Sequence, residues 1–335
     1  MLIYLLFAVG FVFLIKGADY LVEGSTVLAK RFGVSDLIIG LTIVSFGTSA
    51  PELIVNVVAS FQGSTDIAIG NILGSNIANI LLILGVAAAI HPLIVSKSTT
   101  WKEIPFSLMA AIVLFLLAND ALIDKGPASL LSRIDGLMLI TYFALFMLYI
   151  IHVAMADRQK EDGFKTHPLW LAFLMTIGGC VGLFLGGKWV VDGAVVIARN
   201  FGVSESLIGL TIIAVGTSLP ELVTSAVAAY RKNSDIAIGN VVGSNIFNIF
   251  WVLGLSATIR PMPFNTAINT DLYVVMAATG FLFLFAFIGK KEQESAGRFP
   301  FLSIFTSRKY QLERWQGVLF LVGYASYITY LIMRG

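Results

Sequence analysis

Residues 32–92 recur at 201–261 without a gap, at a constant offset of 169, and 34 of the 61 aligned positions are identical. FGVSDLIIGLTIVSFGTSAPEL returns as FGVSESLIGLTIIAVGTSLPEL, and DIAIGNILGSNIANI as DIAIGNVVGSNIFNI. The identities fall on Gly, Thr, Ser, Pro, Glu and Asn, so a shared apolar composition does not produce them. The match continues more weakly upstream, where LVEGSTVLAKRFGV parallels VVDGAVVIARNFGV. Such a chain folds as two copies of one unit, and what one unit carries at its centre the protein carries twice.

The unit is built for a membrane. Of the 335 residues, 57% are hydrophobic and 13% charged, where a soluble domain carries about 25% charged residues. Apolar runs near 20 residues, the length that crosses a bilayer, recur at 1–24, 36–61, 66–91, 104–119, 133–155, 168–198, 205–229, 236–259, 270–289 and 315–333. They are continuously apolar, which argues for helices over the alternating segments of a β-barrel. No polar stretch is long enough for a separate soluble domain. The N-terminal MLIYLLFAVGFVFLIKG lacks a basic leader and a small-residue cleavage site, so it reads as the first span. The single cysteine, Cys180, excludes an internal disulfide and reads as a small packing residue. The net charge of +2 says little about partners, and the lack of a basic face outside the membrane loops argues against nucleic acid.

Ten spans make five per copy, and an odd number forces the second copy to enter the membrane upside down. The expected fold class is therefore an all-α integral membrane protein, with ten transmembrane helices as two inverted five-helix repeats. Residues 1–155 form the first repeat, 156–167 a cytoplasmic linker and 168–335 the second repeat. Transporters of this plan place their site near the midplane, between the repeats. Fifteen Lys and Arg residues fall on the side of the loops after spans 1, 3, 5, 7 and 9, against five on the other side. Positive charge marks the cytoplasm, so both termini are expected outside a multi-pass cell (inner) membrane protein. Lys16 and Lys188 lie within spans near their ends, where they snorkel to the interface. The basic, aromatic segment 290–314 reads as a solvated loop anchored at the headgroups.

GTSAPE at 47–52 and GTSLPE at 216–221 interrupt two apolar spans. Pro51 and Pro220 each remove a backbone donor and break or kink the helix, and Gly47 and Gly216 relax the backbone beside them. The freed carbonyls are tolerable only where they line a polar cavity. Glu52 and Glu221 follow the prolines, and a charge at that depth costs roughly 3 kcal/mol on insertion scales. With no basic residue placed beside them, a bound cation is the natural partner. In GNILGSNIAN (70–79) and GNVVGSNIFN (239–248), Ser75 and Asn79, like Ser244 and Asn248, lie four apart and share a helix face. Gly70 and Gly74 allow close helix approach, as small-residue pairs do in membranes. The bland alternative for these Ser and Asn residues is interhelical hydrogen-bonding glue. Every candidate ligand is an oxygen, which suits a hard cation and disfavours zinc or copper. His91, His152 and His167 fall near span ends or loops. Two carboxylates neutralise one Ca²⁺, whose flexible shell takes 6–8 oxygens. An enzyme is not expected: no His or Lys accompanies Ser49 or Ser218 as a base. A closed, duplicated site also fits alternating access better than a passive cation channel.

The paired GTSxPE and GNxxGSN blocks resemble the α-repeats of the sodium/calcium exchanger family, within the cation/calcium antiporter superfamily, and most of all its compact prokaryotic members. The resemblance covers nearly the whole chain. It implies a Ca²⁺/Na⁺ antiporter with a core of spans 2, 3, 7 and 8, and with spans 1 and 6 as a sliding pair. It implies no cofactor and no obligatory protein partner; the ions and the lipid bilayer are the partners. By motif, Glu52 and Glu221 match the calcium-chelating carboxylates, and Thr48 and Thr217 match carbonyl donors to calcium. Ser49, Ser75, Ser218 and Ser244 match sodium-site residues, with Asn79 at the centre, while Ser45 and Ala214 match further carbonyl donors. Asn248 departs from the pattern, standing where several exchangers have Asp. That holds the site at two formal charges, argues against potassium co-transport and keeps Ca²⁺/H⁺ exchange as the alternative.

Overall fold

The computed structural model describes residues 2–123, 125, 128–156, 167–202, 214–288 and 309–334. Inside hydrocarbon each backbone donor and acceptor must be satisfied within the chain, so long apolar runs become helices. Among the described residues, eight helices are long and apolar enough to cross a bilayer. These are α1 (Leu2–Phe32), α4 (Thr65–Ile90), α5 (Thr99–Leu117), α6 (Arg133–Ala156), α7 (Leu169–Asn200), α10 (Ser234–Ile259), α11 (Thr266–Ile288) and α12 (Arg314–Arg334). A further pair, α2 (Asp36–Thr48) and α3 (Ala50–Gln62), is bent by 48° and makes a ninth span when counted as one. Of the expected span 205–229, residues 205–213 lie outside the described residues; the remainder falls in α8 (Ala214–Gly216) and α9 (Leu219–Tyr230). Segment 290–308 and linker positions 157–166 also lie outside them.

Two boundaries differ from the hydropathy reading by five residues or more. Helix α1 runs eight residues past the expected end at 24, because Lys30 and Arg31 are good helix formers whose charge lowers hydropathy without breaking the helix. Helix α5 begins at Thr99, five residues before the expected start at 104. That extension buries Glu103, which accepts hydrogen bonds from Tyr149 and from Ser98 at 3.2 Å.

Burial sorts the spans into layers. In α4 and α10, 78% and 94% of the most apolar stretch is buried, against 22–39% in the other long helices. These two helices sit in the middle, and the others turn much of their apolar surface outward, as lipid-facing helices do. Outside the spans, short antiparallel ribbons tie distant segments together: Leu93–Ser96 pairs with Lys309–Leu312, and Leu130–Leu131 with Met262–Pro263.

Helices α1 and α7 pack along a seam of glycines spaced by seven. A Cβ on Gly10 would meet Gly186 O at 2.9 Å, and one on Gly17 would meet Gly179 O at 2.9 Å. A Cβ on Gly24 would meet Ala172 O at 2.8 Å. As numbers rise along α1 they fall along α7, so the helices are antiparallel. Gly10, Gly17 and Gly24 lie 169 positions before Gly179, Gly186 and Gly193, so the seam belongs to the repeat. At one end of the seam Arg231, just past α9, donates to Asp19 Oδ1 at 2.8 Å and to Glu23 Oε2 at 3.4 Å. His167 approaches Glu23 at 3.0 Å. These contacts fasten α1 to the central bundle.

Gly178 and Gly179 are neighbours with opposite surroundings. A Cβ on Gly179 would lie 2.6 Å from Leu21 N, whereas among the described residues nothing lies within 4 Å of one on Gly178. Gly179→Ala is expected to destabilise the protein by about 1–3 kcal/mol, the usual range for overpacking, while Gly178→Ala leaves it unchanged or slightly more stable. The thermal midpoints of the two detergent-solubilised variants test this; equal midpoints would mean that the seam is not closely packed.

Candidate ion-binding site

Both GTSxPE segments break their spans in the same way. Pro51 and Pro220 fall in the first turns of α3 and α9, where a proline is tolerated. Having no N–H, they leave the carbonyls of Gly47 and Gly216 without the usual helical donor. Ser49 (φ −83°, ψ 10°) and Ser218 (φ −86°, ψ 5°) carry the change of direction. Gly47 and Gly216 are not among the positive-φ glycines, so their role is steric. A Cβ on Gly47 would meet Cys180 Sγ at 2.4 Å, and one on Gly216 would meet Val191 Cγ2 at 2.4 Å. Cys180 thus packs against the break, and both break glycines admit α7.

The breaks deliver two carboxylates into the bundle. Glu52 and Glu221 are each 1% exposed. Glu52 Oε1 accepts from Ser75 Oγ and Ser218 Oγ, both at 3.3 Å. Glu221 Oε1 accepts from Ser49 Oγ at 2.7 Å, and Ser49 Oγ lies 2.9 Å from Ser244 Oγ. Each carboxylate is therefore held by a serine from the opposite half of the chain. Among the described residues no Lys or Arg pairs with either.

The remaining residues form a layer around this centre. Thr48 Oγ1 donates to Asn240 Oδ1 at 2.9 Å and Thr217 Oγ1 to Asn71 Oδ1 at 3.3 Å, so both hydroxyls are engaged. Ser45 is fully buried; its hydroxyl donates to Leu41 O at 2.9 Å and its carbonyl accepts from Ser49 N at 2.9 Å. Ala214 opens the described part of its span. Asn79 Nδ2 donates to Asn245 Oδ1 at 2.9 Å and Asn248 Nδ2 to Asn76 Oδ1 at 3.1 Å. Asn79 and Asn248 lie in wide turns, Ala78–Leu84 and Phe247–Leu253, where the backbone adopts i→i+5 bonding. Such widenings recur at functional positions in helices. Among the described residues Glu52 Oε2, Glu221 Oε2, Asn79 Oδ1 and Asn248 Oδ1 are all buried without a protein partner.

A cleft of about 310 Å³ runs beside the breaks, lined by Pro51, Thr217 and Pro220 and by Phe184, Lys188 and Asp192 of α7. A Cβ on Gly239 or Gly243 would meet the α2 backbone at 2.9 and 2.7 Å.

The sequence model of the family described as "Sodium/calcium exchanger protein" matches residues 2–152 and 171–333. The chain belongs to this family. Sodium/calcium exchanger MaX1 of Methanosarcina acetivorans is 33% identical over 368 residues, covering 98% of both chains. Inner membrane protein YrbG of Escherichia coli (strain K12) is 39% identical over 293 residues, covering 83% of this chain and 86% of that protein. The structure of the sodium-calcium exchanger NCX_Mj soaked with Na⁺ and Sr²⁺ superposes with a TM-score of 0.79, at 32% identity and 98% coverage of each chain. Multiple apolar helices and these relatives make this exchanger-family chain a multi-pass membrane protein and a cation antiporter by descent, in a family of transporters rather than enzymes.

Sequence reasoning missed Asn71, Asn76, Asn240 and Asn245 as individual members of the network, although the duplicated GNxxGSN block contains all four. It also missed Asn56, whose Nδ2 donates to the Glu52 carbonyl at 2.9 Å, and Ser225, its counterpart, which accepts from Asn240 at 3.0 Å. The two carboxylates differ in their hydroxyl support. Ser49→Ala removes the 2.7 Å bond to Glu221 and is expected to destabilise the ion-free protein by about 1.5–3 kcal/mol, as for a bond to a charged group. Ser75→Ala is expected to do less, because Ser218 still reaches Glu52. Thermal midpoints of the ion-free variants decide it; an equal or reversed order would contradict this ranking of the two bonds.

Proposed function

We propose that this protein is a secondary antiporter that exchanges Ca²⁺ for Na⁺ across the cell membrane by alternating access, at a site centred on Glu52 and Glu221. One observation carries the reading. Among the described residues the two carboxylates have no basic partner, and one oxygen on each, with one each on Asn79 and Asn248, is buried without a protein donor. Oxygen acceptors that are buried, negatively polarised and unpartnered call for a cation, and an all-oxygen set suits calcium or sodium. Thr48 and Thr217 would add carbonyls at the calcium position. Ser49, Ser75, Ser218 and Ser244, with carbonyls from Ser45 and Ala214, would hold sodium around Asn79. Because both ions need the same two carboxylates, one set leaves before the other binds, and that exclusion is the coupling.

The proposed fold has ten transmembrane helices in two inverted repeats, 1–155 and 168–335, joined by a cytoplasmic linker at 156–167, with both termini outside. Its support is the gapless sequence repeat, the antiparallel α1–α7 seam and the site bonds that recur 169 positions apart, as Thr48–Asn240 and Thr217–Asn71 do. Single cysteines at Gln62 and at Lys97, each in a Cys180→Ala background, test it in intact cells with an impermeant maleimide. Labelling is expected at 62 and not at 97; the reverse pattern would invert the assignment.

Calcium uptake into everted vesicles tests the exchange itself. Sodium loaded inside the vesicles is expected to drive calcium uptake, and a pH gradient alone is not. Uptake driven by the pH gradient and indifferent to sodium would establish Ca²⁺/H⁺ exchange instead. Glu52→Gln and Glu221→Gln are each expected to abolish calcium flux, whereas Ser75→Ala and Ser244→Ala mainly weaken sodium binding and leave calcium–calcium exchange partly intact. Normal flux in the double glutamine variant would remove the carboxylates from the site.

A further inference from the structure

An asparagine that serves a cation must present its oxygen, and nothing in asparagine itself decides which end of the amide faces the ion. Turning the amide over replaces the carbonyl oxygen by an NH₂ group of nearly the same volume, whose hydrogens repel a cation. The structure contains a device that decides it. Asn76 Nδ2 donates to the carbonyl of Asn245 at 3.2 Å, and Asn245 Nδ2 donates to the carbonyl of Asn76 at 3.4 Å. A backbone carbonyl only accepts, so both amides must aim their NH₂ groups at it. Their Oδ1 atoms are thereby turned toward the next pair: Asn245 Oδ1 accepts from Asn79 Nδ2 at 2.9 Å and Asn76 Oδ1 from Asn248 Nδ2 at 3.1 Å. With their NH₂ groups taken, Asn79 and Asn248 point Oδ1 away from the quartet.

All four residues are at most 1% exposed, so bulk water does not compensate a reversed amide. The bonds are reciprocal across α4 and α10, and each residue's counterpart lies 169 positions away. Asn76 and Asn245 have no buried side-chain atom without a partner, while Asn79 and Asn248 each keep one, and in both it is the oxygen.

We propose that Asn76 and Asn245 are positioning residues that set the amide polarity of Asn248 and Asn79, so that each presents a carbonyl oxygen to the transported cation. The inference rests on the reading of Asn79 and Asn248 as ion ligands. The polarity originates in two main-chain carbonyls and reaches the site through two side-chain amides. Neither positioning residue touches the ion.

A double-mutant experiment isolates polarity from packing. A carboxylate presents an oxygen in either orientation, so Asn248→Asp makes the setting of position 248 irrelevant. KM for calcium and kcat are measured for calcium–calcium exchange in proteoliposomes, for Asn76→Ala in the unmodified chain and in the Asn248→Asp background. In the unmodified chain Asn76→Ala is expected to raise KM about tenfold or more, with kcat within about threefold. In the Asn248→Asp background the same change is expected to alter KM by less than about twofold. Asn245→Ala with Asn79→Asp is the mirror pair and should behave alike. The same rise in KM in both backgrounds, or no rise in the unmodified chain, would overturn the proposal. So would loss of folded protein in both alanine variants while the aspartate variants fold, which would assign these residues to packing. Asn248→Ala keeps the two failures apart: if it leaves KM unchanged, the ligand reading itself is wrong, whereas if it raises KM and Asn76→Ala does not, only the positioning role falls.

Discussion

A carboxylate inside an apolar bundle has few ways to exist, and two of them constrain everything around them. Glu52 and Glu221 have no basic neighbour among the described residues, so their surroundings must supply positive ends of dipoles. Hydroxyls from both halves of the chain supply some, and the helices that begin at the breaks add their positive N-terminal ends. What remains unpartnered faces inward as acceptor capacity. Glu103, buried at the end of a span away from the duplicated motifs, stands alone: one of its oxygens accepts from the Tyr149 phenol and Ser98, and the other, as at Glu52 and Glu221, has no partner among the described residues. What sets the centre apart is that it holds two such carboxylates, each backed by a hydroxyl from the other half of the chain.

The backbone departs from regular helix where this polar centre requires it. Proline removes a donor after each GTS, serine changes the chain direction, and glycine lets α7 press against the break. In α4 and α10 the widened turns start one residue before Asn79 and Asn248. Each departure appears twice, at positions 169 apart. A helix would not stray from its hydrogen-bond pattern in lipid without compensation. The straying is concentrated where polar side chains are close at hand.

Much of this was legible in the sequence. Continuous apolar runs placed the long helices within a few residues, except where charged helix formers extended α1 and where polar residues opened α5 below the hydropathy threshold. The duplicated motifs located the carboxylates, the serines that hold them, and Asn79 and Asn248. What they left open was who faces whom. That Ser218 serves Glu52 while Ser49 serves Glu221 follows from the crossing of helices from different halves, which no local pattern encodes. The same holds for Asn76 and Asn245: their helix face was readable, but the reciprocal bonds exist only once α4 lies against α10. The glycines of the breaks were read as backbone relief and proved to be contact surfaces, because their neighbours come from α7, far away in sequence.

The repeat is less even at its rim than at its centre. Arg231 clamps Asp19 and Glu23, but the positions 169 away from these three are Gln62, Lys188 and Asp192. Glutamine carries no charge, and lysine reverses the sign of the aspartate it replaces. One end of the molecule is therefore fastened by an ionic clasp whose other copy was never written. A perfectly doubled chain would carry the same fastening at both rims; this one carries it at one, so the two ends of the seam are held by different means.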